Sequence, residues 1–144
     1  MSKIYQHTGQ CHCGNIHFIF ETKNDVPALN LRQCDCHFCQ KHASRYTSDP
    51  NGTLIVTISN KRTINRYNFG HKTANFIICQ TCGVMPLVTS NIEENIYAVL
   101  NVNCLDKVNE LGDCKHIAYY DTEVKNDRLS RRKKNWISKV IITE

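Results

Sequence analysis

Seven of the nine cysteines in this chain fall into three tight groups. They are Cys11-His12-Cys13-Gly14, Cys34-Asp35-Cys36-His37-Phe38-Cys39, and Cys79-Gln80-Thr81-Cys82-Gly83. Close-set thiols of this kind suit a tetrahedral ion such as Zn²⁺, which is commonly held by two local cysteine pairs that the fold brings together. The first and third groups supply two such pairs, so Cys11, Cys13, Cys79 and Cys82 are expected to form one tetrathiolate site. Each of these groups ends in a glycine, the residue that most readily takes the positive φ needed where a backbone folds back around an ion. Joining two chain-distant pairs would contribute several kcal/mol to the folding of a small domain.

The middle group offers three thiols within six residues. Three protein ligands with a fourth position open is the pattern of a catalytic zinc, whereas four closed ligands is the structural pattern. Three thiolates neutralise less of the ion's charge than four, which makes Cys34, Cys36 and Cys39 the better frame for a Lewis acid able to favour an incoming thiolate. Two other readings stand beside this one. The group could form a second structural site completed by His37, His42, Cys104 or Cys114, or the seven cysteines could be partitioned differently. Iron also accepts four thiolates in a tetrahedron.

These groups sit in a chain of 144 residues, expected to form a single zinc-binding domain over residues 1–144. Hydrophobic residues make up 41% and charged residues 22%, a balance suited to a water-soluble globule. No apolar run reaches the roughly 20 residues a membrane helix needs, so no membrane partner is expected. The stretch Met1-Ser2-Lys3-Ile4-Tyr5-Gln6-His7 lacks a signal-peptide core, which points to the cytoplasm, where clustered cysteines bind metal more often than they form disulfides. The net charge of +5 favours anionic ligands without choosing between a nucleic acid and a small metabolite.

The elements that must position the cysteines read as short strands. Asn15 to Glu21 places Ile16, Phe18 and Phe20 on one face by period two. Thr53 to Ser59 is rich in β-branched residues and follows the turn signal Asp49-Pro50-Asn51-Gly52. Further strands are expected around Thr63–Phe69, Ala74–Cys79, Val84–Thr89, Ile96–Val102 and His116–Tyr120, giving a mainly antiparallel β domain. A helical turn or two is expected over Gln40–Ser44. A short C-terminal helix is expected over Asp127–Val140, capped by Asp127, with Leu129, Trp136, Ile137 and Val140 along one face. Arg131-Arg132-Lys133-Lys134 then falls mostly on the other, solvated side, a weak basis for nucleic-acid contact.

The three motifs, in order, resemble the family of the glutathione-dependent formaldehyde-activating enzyme and centromere protein V. The likeness runs through Gly9-Gln10-Cys11-His12-Cys13-Gly14, Cys34 to Lys41, Ile78-Cys79-Gln80-Thr81-Cys82-Gly83-Val84, Tyr67 to Ala74 and Asn101 to Asp106, and more weakly through His116 to Asp121. The resemblance implies a β-tent fold, antiparallel sheets organised around zinc. It implies two zinc ions: a structural one on Cys11, Cys13, Cys79 and Cys82, and a catalytic one on Cys34, Cys36 and Cys39, where glutathione engages. The implied reaction is carbon–sulfur bond formation between glutathione and formaldehyde, giving S-hydroxymethylglutathione, a lyase reaction in its reverse sense. The chain looks closer to the compact members related to the centromere protein, and it carries Met85 where relatives often have a small polar or aromatic residue. Lys41, Arg45, Lys72 and Arg66 are the basic side chains near the motifs that could meet the carboxylates of glutathione. Two competing functions are a zinc-stabilised binding module without catalysis, and nucleic-acid or cytoskeletal association through the basic run.

Overall fold

A computed structural model describes residues 3–114, 116–120 and 122–144. Its strands build two sheets. The smaller joins β1 (Tyr5–Gln10), β2 (Ile16–Thr22), β5 (Thr53–Ile58) and β11 (Lys139–Thr143) in that order. The larger has seven strands. They run from β10 (His116–Ala118) through β3 (Arg32–Cys34), β4 (Tyr46–Thr47), β9 (Asn95–Asn101), β8 (Leu87–Ile92) and β7 (Asn75–Cys79) to β6 (Ile64–Tyr67). All pairings are antiparallel except β10 with β3 and β11 with β5. Two α-helices, α1 (His37–His42) and α2 (Lys125–Asn135), complete the mainly-β architecture.

The period-two reading of β2 holds in space. Ile16, Phe18 and Phe20 are buried and face Ile58, Val56 and Leu54 of β5 in register. They pack on Ile77, Leu87, Ala98 and Leu100 of the larger sheet to form the main core. Removing such side chains from water contributes about 1.5–3 kcal/mol each. A second core forms around Cys39, Tyr46, Phe76, Met85, Val88, Val99 and Trp136. Met85, the departure from the family pattern, is therefore an interior packing residue.

Several elements differ from expectation. Strand β1 has no apolar period, because only His7 and Gly9 along it turn inward. Strands β3 and β4 are three and two residues long, too short for any periodicity to show. Helix α1 begins at His37 because the Cys36 sulfur caps it, accepting from the Cys39 N–H at 3.4 Å. Strand β8 starts later than expected, at Leu87, and β10 ends at Ala118.

The largest correction concerns the C-terminus. Helix α2 covers Lys125–Asn135, Asp127 lies in its first turn, and Val124 occupies the N-cap position with no side-chain bond. Beyond Trp136 the backbone becomes extended, Ile137 exchanges hydrogen bonds with Ala98, and Lys139–Thr143 joins the edge of β5. Val140 and Ile142 turn partly inward while their neighbours face water, so this segment obeys a strand period rather than a helical one.

Candidate metal centres and an arginine-lined cleft

The first and third cysteine groups meet at the junction of the two sheets. Cys11 follows β1 of the smaller sheet, and its sulfur accepts from the Ile16 N–H at 3.3 Å. Gly14 takes φ 85° and donates its N–H back to the Cys11 carbonyl. Cys79 ends β7 of the larger sheet, and Gly83, at φ 79°, closes the following turn onto the Cys79 carbonyl. The two glycine turns thus aim both local pairs at one point.

The sulfur atoms of Cys11, Cys13, Cys79 and Cys82 all lie within 4.8 Å of one another. Cys11 and Cys13 are 3.8 Å apart, Cys13 and Cys79 3.5 Å. Thiolates bound at the usual zinc–sulfur distance in a tetrahedron would be separated by about 3.8 Å. The chemistry and clustering of the donor set therefore suit such an ion. All nine cysteines are free thiols, so no disulfide competes for these positions. Burial pushes Cys11 up to about 12. Cys82 goes the other way, to about 6, because burial is outweighed by the N–H groups of Cys13 and Val84.

The middle group forms a second cluster. Cys34 ends β3, Cys36 caps α1, and Cys39 lies within that helix, their sulfurs again within 4.8 Å of one another. Cys36 is held down at about 2 by hydrogen bonds from Cys34 and then Cys39, while those two donors are pushed up. Metal binding at such a cluster requires the thiols to give up their protons.

Among the described residues no histidine, cysteine, aspartate or glutamate joins these three as a fourth ligand. His37 and His42 face solvent, Cys104 lies in the main core, and the Cys114 sulfur meets the His116 carbonyl. The partner that does reach the cluster is Tyr46, whose hydroxyl lies 3.2 Å from the Cys39 sulfur and accepts from Ser44 Oγ at 2.9 Å. Burial, then Cys39, pushes the Tyr46 phenol above its ordinary range, so it stays protonated and able to donate to sulfur. No sequence signal marks Tyr46, a lone aromatic residue between polar neighbours.

These three cysteines line a cleft that is open to solvent. Apolar wall comes from Phe69, Phe76, Val88 and Trp136. The rest of the lining includes four arginines: Arg32 of β3, and Arg128, Arg131 and Arg132 of α2. The basic run is therefore not a solvated stripe. Lys133 and Lys134 are exposed, but Arg131 is half-buried and Arg132 buried. The basic side chains picked out near the motifs do not line this cleft. Arg45 is engaged by Asn103, Arg66 pairs with Glu144, and Lys41 and Lys72 are exposed.

The model of the family described as glutathione-dependent formaldehyde-activating enzyme matches residues 6–121 of the chain. The structure is also similar to a crystal structure of a Rhodobacter sphaeroides protein. The two are 26% identical over 77% of this chain and 99% of the other, with a TM-score of 0.58.

Proposed function

This chain belongs to the glutathione-dependent formaldehyde-activating enzyme family, and from that premise we propose that it is a zinc-dependent carbon–sulfur lyase-type enzyme. It adds a thiol, glutathione, to formaldehyde or a related small aldehyde. Cys11, Cys13, Cys79 and Cys82 hold a structural zinc, and Cys34, Cys36 and Cys39 hold a catalytic one. The carrying observation is that the second cluster brings three sulfurs to the wall of a cleft with no fourth described metal-ligating side chain.

A zinc ion held by Cys34, Cys36 and Cys39 would supply a Lewis acid that favours thiolate over thiol near neutral pH. The protein's own residues do the rest. Cys34, Cys36 and Cys39 fix where the reacting sulfur must sit, and Tyr46 orients Cys39 from behind. Phe69, Phe76 and Trp136 displace water from one side of the cleft. In the addition, a sulfur lone pair forms the new bond to the aldehyde carbon, the carbonyl π pair moves to oxygen, and that oxygen gains a proton in place of the one lost from the thiol. Holding the two reactants together accounts for much of the acceleration. No described helix is long and apolar enough to cross a membrane, and we place the reaction in the cytoplasm.

The test is the rate of S-hydroxymethylglutathione formation with wild type and Cys36→Ser, alongside zinc content per chain. Two zincs falling to one, with loss of the rate above background, supports the reading. A wild-type rate equal to background, with both metals bound, would make the chain a zinc-stabilised binding module instead.

A further inference from the structure

We infer that Arg32, Arg128, Arg131 and Arg132 form a carboxylate-binding subsite in the cleft beside the three cysteines, and that they select an anionic thiol. The inference rests on reading the cleft as the thiol site, and it adds which thiols that site accepts. The argument begins with charge. Among the described residues only Glu123 pairs with any of the four, spanning Arg131 at 3.0 Å and Arg128 at 3.4 Å. Neither Arg32 nor Arg132 has a carboxylate partner among the described residues. Arg32 is held by a hydroxyl, donating from Nη2 to Ser48 Oγ at 2.9 Å.

Arg132 carries the case furthest. It is only 6% exposed, and its Nη1 donates to two neutral oxygens, Thr73 Oγ1 at 2.8 Å and Ser90 Oγ at 3.2 Å. Its Nε is buried and has no hydrogen-bond partner among the described residues. A buried cation is costly unless it is paired and hydrogen-bonded. The unpartnered side of a guanidinium is also the fork that grips both oxygens of a carboxylate. The fork is held in place before any ligand arrives, since Arg132 lies 4.9 Å over the Trp136 ring and Arg131 lies 3.7 Å over the Tyr120 ring. With a divalent ion on the cysteines, four guanidiniums and the ion would face three thiolates and, among the described residues, one carboxylate, a positive surplus that an anionic substrate would balance. Three of the four arginines lie on α2, beyond residue 121 where the family match ends.

The experiment titrates the zinc-loaded full chain with S-methylglutathione, which keeps both carboxylates but has no thiol, and with its dimethyl ester. The acid form should bind tighter by on the order of tenfold or more. Arg132→Gln and Arg32→Gln should each lose most of that difference while binding the ester as wild type does. Equal binding of acid and ester, binding of neither, or a difference that survives in both variants would overturn the inference. The wild-type comparison alone decides if Arg132→Gln fails to fold. Comparing glutathione with its dimethyl ester as thiols for formaldehyde separates the two claims. Equal rates sink the subsite and leave the reaction standing, whereas acid-selective binding without turnover does the reverse.

Discussion

Cys13 Sγ lies 3.5 Å from Cys79 Sγ although 66 positions separate them in the chain. One residue follows a strand of the smaller sheet and the other ends a strand of the larger, so an ion here would tie the sheets together. Cys11 and Cys79 are moreover fully buried within the main core. Cys79→Ser should therefore destabilise the whole fold by several kcal/mol, while Cys36→Ser should leave it folded with one zinc fewer. Thermal unfolding and metal content of the two variants check this, and equal loss of stability would count against the assignment.

Tyr46 is expected to act through Cys39. Tyr46→Phe removes the hydroxyl donor but keeps the ring in the second core, so global stability should fall by only about 1 kcal/mol. Loss of such an outer partner typically weakens a metal site on the order of 10–100-fold. Chelator competition should show the second zinc released more easily and the first unchanged.

Glu123 gives the fold a predictable acid response. Burial alone would push its carboxyl up, but Arg131 and then Arg128 more than offset this, and it sits below its ordinary 4.5. A depressed carboxylate contributes stability that is complete above its unfolded value and is lost as pH falls through its folded one. Glu123→Gln should thus be less stable than wild type at neutral pH, with the gap narrowing below about pH 4.5. Chemical denaturation across that range checks the sign, and a gap that does not change with pH would contradict it.

Gly9 is needed for space. A Cβ there would sit 2.4 Å from Phe18 Cζ and 2.5 Å from the Cys104 carbonyl oxygen. The ring could shift, but the backbone carbonyl cannot do so cheaply. Gly9→Ala should cost about 1–3 kcal/mol and, being two residues before Cys11, loosen the first metal site. A lowered melting temperature with faster zinc release is the expected result.

Sequence alone determined the features encoded locally. Cysteine spacing marked three groups of donors, and glycines after two of them marked the turns. The alternation of Ile16, Phe18 and Phe20 identified a half-buried strand. The partition of the seven cysteines was another matter, because spacing cannot say which distant pairs meet. The arrangement of β1 and β7 in the two sheets brings Cys11, Cys13, Cys79 and Cys82 together and leaves Cys34, Cys36 and Cys39 as a separate group.

Tertiary structure alone decided where the basic run sits. Helical periodicity places Arg131 to Lys134 opposite the apolar residues and implies solvent. Yet which side of a helix is buried depends on what it packs against. Helix α2 lies against β8 and over the cleft, where Thr73, Ser90 and Trp136 take up Arg132. The end of that helix departs from the sequence expectation for the same reason. Val140 and Ile142 fit a helix or a strand over so short a span, and the open edge of β5, which no local pattern reveals, made them a strand.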